Sequence, residues 1–289
     1  MFPDRTLFPF ESRYFTLPGG EKMHYIDEGA GPAVLFVHGT PEWSFGWREL
    51  IGLLRDRYRC IAPDHLGFGL SDKPLSADYS CKAHGERLEA FIEGLGLRDF
   101  HVVCNDFGLS IAMSCVMQHP ERTARISFFN GWMWPLDQDP HYAGPARVMR
   151  SFFGRWMYKW FNFPVRVVMP AAFGDRSRLT KAMYWHYKMA LPNPDSRVAA
   201  YRFSHELLDA TDWWAGLWAQ RDKLLDKDIL VFWGMKDRFV PPYELDKWIA
   251  ALPHARVVRF EDAGHFVQEE KPVEMAEALH DFWAQTPGK

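Results

Sequence analysis

The stretch VVCNDFGLS, residues 102–110, places a carboxylate where a buried strand gives way to a helix. Its two valines are typical of a strand buried on both faces, Gly108 permits a tight turn, and the apolar residues 109–113 begin a helix. Asp106 therefore lies on a sharp strand-to-helix corner. An aspartate at this corner can stabilise the turn, cap the helix or act as a catalytic group. The other motifs of the chain distinguish these roles.

Short apolar runs alternate with helical patterns on both sides of this corner. Such alternation predicts an α/β fold, with a mostly parallel sheet and helices on both of its faces. A hairpin over residues 14–28 precedes it, with Pro18-Gly19-Gly20 as its turn. The predicted strands that follow the hairpin are residues 33–37, 60–63, 100–105, 126–129, 229–233 and 255–260.

Between residues 132 and 225 the strand pattern stops. This stretch holds eight of the thirteen tryptophans and is helical in composition. We interpret it as a helical lid, or cap, inserted into the α/β domain. The predicted division is a main domain of residues 1–131 and 226–289 and a lid of residues 132–225.

Composition narrows the classes of function. The chain has 289 residues, of which 47% are hydrophobic and 25% charged, and its net charge is −3. That balance gives no electrostatic reason to expect a nucleic acid or a membrane surface as partner. The amino terminus lacks the pattern of a signal peptide, and the four cysteines lack metal-ligand spacing. We expect a cytoplasmic protein with reduced thiols and no metal site.

Ligands of an open parallel sheet bind at the carboxyl ends of its strands. The residues that directly follow the predicted strands include Asp106, Asp237 and His265, in that chain order. A nucleophile, an acid and a histidine in this order, with the nucleophile on a strand-to-helix turn, form the α/β-hydrolase pattern. Taken singly, His265 could be a structural histidine and Asp237 a loop charge. Their common position after strands favours a catalytic triad.

Five segments extend this pattern over most of the chain outside the lid. Together they resemble the landmarks of the haloalkane dehalogenase and epoxide hydrolase branch of the α/β-hydrolase superfamily. The segments are FVHGTPEWSFGWREL (36–50), CIAPDHLGFGLSDKP (60–74), CNDFG (104–108), WGMKDRFVP (233–241) and DAGHFVQEEKP (262–272).

The resemblance implies a chemistry for the corner aspartate. In this branch a carboxylate displaces a leaving group from an sp3 carbon and forms an alkyl ester, here on Asp106. His265 would activate the water that hydrolyses the ester, and Asp237 would orient and stabilise the imidazole. The backbone N–H groups of Thr40 and Phe107 occupy the positions of the oxyanion hole. The resemblance implies no metal or other cofactor.

Two positions depart from the dehalogenase pattern. Those enzymes usually hold the halide with a Trp indole directly after the nucleophile and with an Asn near the His-Gly turn or a Trp in the lid. Here those positions are Phe107 and Thr40, which cannot form that cradle. Candidates for binding the substrate or leaving group are therefore Trp132, Trp43 and Tyr142. Asn130 is a competing position for the triad acid, but an amide carries no charge, so Asp237 is preferred.

Three functions remain open at this stage. The preferred one is a haloalkane dehalogenase-like hydrolase that releases halide and gives an alcohol. The second is an epoxide hydrolase, in which lid tyrosines would protonate the leaving oxygen. The third is a non-hydrolytic member of the fold that binds or oxygenates an aromatic ligand without a cofactor. The expected partners are a small apolar organic substrate and water, and the expected assembly is a monomer or a small homo-oligomer.

Overall fold

A computed structural model describes residues 2–285 and contains one eight-stranded sheet. The strand order is β1-β2-β4-β3-β5-β6-β7-β8. β1 and β2 form the predicted antiparallel hairpin, β2 is also antiparallel to β4, and the remaining neighbours are parallel. The predicted α/β architecture is therefore confirmed. The strands are β1 (Arg13–Thr16), β2 (Lys22–Glu28), β3 (Ala33–Val37), β4 (Arg59–Pro63), β5 (Phe100–Asn105), β6 (Thr123–Phe129), β7 (Asp228–Gly234) and β8 (Arg256–Phe260).

Helices cover both faces of the sheet because its central strands expose apolar side chains on both sides. β5 is buried along its whole length, as are most residues of β3, β6 and β7. The helices of this part of the chain are α1 (Arg48–Leu54), α2 (Cys81–Gly94), α3 (Asp106–Gln118), α10 (Pro242–Ala251), α11 (Val267–Glu270) and α12 (Pro272–Ala284).

The elements that the structure shows between residues 132 and 225 are all helical. They follow β6 and lie before β7, so the sheet resumes after them, and on this basis we propose the division into main domain and lid stated above. Within residues 2–285, no helix has both the length and the apolar character needed to cross a membrane. The α-helices of the lid are α4 (Pro140–Met149), α5 (Phe152–Trp156), α6 (Met169–Ala172), α7 (Lys181–Ala190), α8 (Val198–Asp209) and α9 (Thr211–Ala219).

Candidate active site

Asp106 occupies the corner between β5 and α3 with a backbone φ of +51°. A non-glycine residue rarely adopts this left-handed conformation, and the strain is typical of a nucleophile elbow. The corner packs tightly on the end of β3: a Cβ atom at Gly108 would lie 2.4 Å from the carbonyl oxygen of Val37. Glycine at position 108 is therefore required by the close approach of the two backbones.

One oxygen of Asp106 is held by the loop that follows β3. The backbone N–H of Thr40 donates to Oδ1 of Asp106 across 2.9 Å. Gly39 lets the carboxylate come this close, because a Cβ atom there would lie 2.3 Å from the same oxygen. Phe107 lies in the first turn of α3, where backbone N–H groups have no acceptor within the helix. Both predicted oxyanion positions thus adjoin the carboxylate.

His265 lies between the two carboxylates that the sequence pairs with it. Its Nδ1 is 2.7 Å from Oδ2 of Asp237, and its Nε2 is 3.5 Å from Oδ2 of Asp106. All three side chains are almost completely buried. Burial lowers the pKa of His265, but the carboxylates of Asp237 and Asp106 outweigh it and hold that pKa well above its ordinary value. The two carboxylates thus favour the protonated form of the imidazole.

Asp237 is fixed by four donors. Its Oδ1 accepts from the backbone N–H groups of Phe239, at 2.7 Å, and Val240, at 3.1 Å. Its Oδ2 accepts from Nδ2 of Asn130, at 2.8 Å, as well as from His265. Asn130, the competing position for the acid, thus donates to Asp237, whereas Asp237 itself contacts the imidazole, and we propose Asp237 as the acid.

Aromatic side chains cluster around Phe107, the residue that follows Asp106. The Phe107 ring lies 4.7 Å from that of Phe203 and 5.0 Å from that of Trp132, measured between centroids. Trp214 packs on Trp132 at 5.8 Å, and Tyr142 does so at 6.1 Å. Aromatic side chains of the elbow and of the lid therefore meet in one cluster.

Two of these aromatic residues carry buried donors without an acceptor in residues 2–285: the indole N–H groups of Trp132 and Trp214. The Tyr142 hydroxyl faces Glu244, whose charge adds to burial in raising the pKa of Tyr142. A buried donor without an acceptor costs free energy, and such groups are uncommon in folded proteins. Their clustering beside Phe107 favours a site for an acceptor supplied by the substrate. Of the two, Trp132 has the ring nearer to Phe107, at 5.0 Å between centroids against 6.2 Å for Trp214.

Trp43 lies in a different environment. Its ring packs on Phe8, at 5.1 Å, and on Phe45, at 5.5 Å, in a cluster with the amino-terminal segment. This packing gives no support to a role in leaving-group binding, although the Trp43 indole N–H also lacks an acceptor among the described residues. Trp43 is close to Thr40 in sequence, but its ring packs on Phe8 and Phe45 and not on the aromatic residues around Phe107.

Glu42 is a site residue that sequence reasoning missed. It belongs to the same loop as Thr40, is only 1% exposed, and accepts a 2.7 Å hydrogen bond from Nδ2 of Asn105, the residue before the nucleophile. Burial raises the pKa of Glu42 to about 7, and the charge of Asp106 contributes in the same direction. The only sequence signal was an acidic residue within the segment HGTPEW.

The four cysteines are all buried and unpaired, as predicted. Burial raises the pKa of the Cys104 thiol, which lies directly before the corner, so that it is neutral at physiological pH. This environment fits packing and does not suit a nucleophile.

The family model described as alpha/beta hydrolase fold matches residues 32–272. Haloalkane dehalogenase 2 of Mycobacterium tuberculosis is 36% identical to the chain over 279 residues, which cover 96% of each protein. The cis-3-alkyl-4-alkyloxetan-2-one decarboxylase of Shewanella oneidensis is 31% identical over 290 residues, 97% of this chain and 91% of that protein.

Solved structures share the architecture. The crystal structure of haloalkane dehalogenase DbeA from Bradyrhizobium elkani superposes with a TM-score of 0.85, and the match covers 96% of this chain and all of that one. Its sequence is 23% identical, so this likeness shows the fold alone.

Proposed function

This chain belongs to the α/β-hydrolase fold family, in the branch of the haloalkane dehalogenases, and we propose that it releases halide from small haloalkanes through an ester on Asp106. One observation carries the proposal. The carboxylate of Asp106 is held at one oxygen by the Thr40 N–H, while the His265–Asp237 pair faces the other oxygen. This geometry supports attack by a carboxylate followed by hydrolysis of the ester.

The two oxygens of Asp106 have different tasks in this scheme. Oδ2 attacks the sp3 carbon, the carbon–halogen bond breaks, and the halide leaves with the bonding electron pair. Oδ1 becomes the carbonyl oxygen of the ester. When hydroxide adds to the carboxyl carbon, negative charge develops on Oδ1, where the Thr40 N–H already donates.

Alkylation also switches the role of His265. In the free enzyme two carboxylates raise the pKa of His265 and so favour the protonated imidazole, a form that cannot accept a proton. Conversion of Asp106 to a neutral ester removes one of these charges and one hydrogen bond. The pKa of His265 then falls, its proton leaves to solvent, and Nε2 becomes a base for water. Asp237 remains to stabilise the imidazolium that forms in hydrolysis.

The leaving group requires a different donor from the usual one. Phe107 has no N–H to offer, so we propose that the indole of Trp132 holds the halide. Two hydrogen bonds fix the backbone at Trp132: its carbonyl accepts from the Ser110 hydroxyl of α3, and the carbonyl of Gly131 accepts from the Trp248 indole across 2.9 Å.

The test follows halide and oxygen separately. The wild-type enzyme is incubated with 1-bromobutane in ¹⁸O-labelled water under single-turnover conditions, and bromide, butanol and the enzyme are analysed. The proposal expects unlabelled butanol in the first turnover and one ¹⁸O atom in the peptide that contains Asp106, because water adds to the carboxyl carbon. Labelled butanol with an unlabelled enzyme would mean direct attack by water and would contradict the ester.

Trp132→Phe tests the halide donor. Bromide should quench the tryptophan fluorescence of the wild type in a saturable way, and this quenching should disappear in the variant. The variant should slow ester formation but leave ester hydrolysis unchanged, because the leaving group is present only in the first step. Trp156→Phe is the matched control, since it removes an exposed lid indole that the proposal does not use.

A second candidate is the opening of a small oxygen ring by the same nucleophile. Two observations favour it: the 31% identity to an enzyme named for an oxetan-2-one, and the absence of an indole at Phe107. We propose Tyr158 as the donor to the leaving oxygen, because it is a buried lid tyrosine that senses the charge of Asp106; burial and, to a lesser extent, that charge raise the pKa of Tyr158 to about 12. Parallel assays with a haloalkane, an alkyl epoxide and a cis-3,4-dialkyloxetan-2-one distinguish the two candidates. Halide release without ring opening supports the first.

A small apolar substrate and water are the partners that this function requires. A cytoplasmic location and a monomeric or small homo-oligomeric state stay predictions, to be checked by fractionation and by light scattering.

A further inference from the structure

Glu42 takes no part in the steps described above, although it contacts both the residue before the nucleophile and the loop that follows β3. It is held between two segments that the site uses. Its Oε2 accepts from Nδ2 of Asn105, at 2.7 Å, and from the backbone N–H of Gly39, at 3.4 Å. Its Oε1 accepts from Nε2 of Gln268, three residues beyond His265.

These donors are arranged for an anion. Asn105 and Gln268 both turn their N–H groups toward Glu42, and their own amide oxygens are buried without a donor in residues 2–285. Two amides with unpartnered oxygens are unfavourable unless the group between them is a strong acceptor. The surroundings of Glu42 therefore suit a carboxylate, even though burial raises its pKa to about 7.

Charged groups face Glu42 from several elements, but only two change charge in the reaction. The Tyr187 hydroxyl of α7 lies near Oε1 of Glu42 and donates to Glu269, and its pKa is held well above the ordinary value. Glu269 is neutralised by Arg48, whose guanidinium donates to both carboxylate oxygens at 2.7 and 2.8 Å. The remaining groups are Asp106, whose charge disfavours an ionised Glu42, and His265, whose charge favours it.

We infer that Glu42 is a positioning residue for ester hydrolysis, the second half of the proposed function on which this inference rests: its carboxylate stabilises the imidazolium of His265 after Asp106 has been alkylated. Alkylation removes the charge of Asp106, which opposes an ionised Glu42. Water then gives a proton to Nε2 of His265, its oxygen bonds to Cγ of Asp106, and the electron pair of the C=O bond moves to Oδ1. Collapse of this intermediate breaks the ester bond, and the proton on His265 goes to the departing alkoxide.

The test is Glu42→Gln, which removes the charge and keeps the size of the side chain. Asn105 can go on donating to the new carbonyl oxygen while Gln268 turns its amide oxygen toward the new NH2 group, so both hydrogen bonds can be kept. Rapid-quench kinetics with 1-bromobutane should show a bromide burst at close to the wild-type rate. Hydrolysis should be slower by about tenfold or more, the size expected for one buried charge near another. Butyl-Asp106 should accumulate in the intact mass spectrum.

Two further variants complete the test. Glu42→Asp keeps the charge and should hydrolyse the ester faster than Glu42→Gln does. Glu49→Gln, which removes an exposed carboxylate from α1, is the matched control and should behave as the wild type. Circular dichroism establishes that each variant is folded.

Two results would overturn the inference alone: normal hydrolysis by a folded Glu42→Gln enzyme, or an equal loss in both half-reactions, which a purely structural residue would cause. A wild-type enzyme that never carries an alkyl group on Asp106 would instead remove the proposed function, and the inference with it.

Discussion

Replacing Asp237 by Asn should block ester hydrolysis while it leaves ester formation nearly intact. The structure dictates how the new amide would lie. Oδ1 of Asp237 accepts from the N–H groups of Phe239 and Val240, so the carbonyl oxygen of an Asn must occupy this place. Its NH2 group then replaces Oδ2 and faces Asn130, at 2.8 Å, and His265, at 2.7 Å.

That orientation gives His265 the wrong tautomer. Nδ1 would have to accept a hydrogen bond from the new amide, so the proton of a neutral imidazole would lie on Nε2. Nε2 would then be unable to accept a proton from water. The imidazolium would also lose its closest anion. The comparable change in a serine protease triad costs about 10⁴-fold, and we expect hydrolysis to slow by about 10³- to 10⁴-fold, or about 4 to 5.5 kcal/mol.

Ester formation should respond much less, because His265 takes no proton in that step. Single-turnover measurements with 1-bromobutane separate the two rates: bromide appears with ester formation, and butanol with hydrolysis. The intact mass should show that Asp237→Asn accumulates butyl-enzyme. A less than tenfold loss in hydrolysis would mean that another group supports His265, and an equal loss in both steps would mean that Asp237 acts only on the fold.

Asn130→Asp in the Asp237→Asn background is the matched control for charge. It returns a carboxylate to the pocket within hydrogen-bond distance of position 237. Partial recovery of hydrolysis would assign the loss to the missing anion. No recovery, with an intact fold, would assign it to the tautomer of His265.

Three further predictions follow from other contacts. His265→Phe should form one equivalent of alkyl ester and then stop, with the added mass on the Asp106 peptide; label elsewhere, or normal turnover, would refute the assigned roles. Phe107→Trp should lower thermal stability by about 1 to 3 kcal/mol, because the ring is already packed against Phe203 and Trp132; an unchanged Tm would show free space at the elbow. Glu42→Gln should raise the Tm at pH 8 but not at pH 4. The pKa of Glu42 is about 7 in the folded protein and 4.5 for the reference carboxyl, so ionisation of Glu42 lowers the free energy of unfolding progressively between these pH values, by about 3 kcal/mol in total above pH 7. An equal Tm difference between variant and wild type at both pH values would refute the raised pKa.

The order of the sheet was predictable because buried parallel strands appear as continuous apolar runs. β3 has the predicted bounds, Ala33–Val37. β6 begins at Thr123, three residues before the predicted run at 126, because polar residues at its start are also buried. Arg125 is one of them, and its guanidinium donates to the carbonyl of Trp283, a contact that sequence spacing cannot reveal.

The residues of the candidate site likewise fall into those that the sequence could predict and those that it could not. Asp106, Asp237 and His265 each follow a strand of one parallel sheet, so their convergence follows from topology. Trp43 and Glu42 share a loop with Thr40, and there the direction of each side chain depends on distant partners. Trp43 packs on Phe8 of the amino-terminal segment, and no local sequence pattern indicated this contact.

The placement of Glu42 gives a reason for the two effects expected of its replacement. Three carboxylates, Glu42, Asp106 and Asp237, influence one imidazole, and all three are buried. Burying so many anions opposes folding, and a neutral side chain at position 42 should therefore stabilise the protein at alkaline pH. The same replacement should weaken the imidazolium of His265 when the ester is hydrolysed. A residue that only held the loop in place would lower stability and activity together when replaced. A Glu42→Gln variant with a higher Tm and slower ester hydrolysis would therefore show that the charge of Glu42 serves the reaction and does not stabilise the fold.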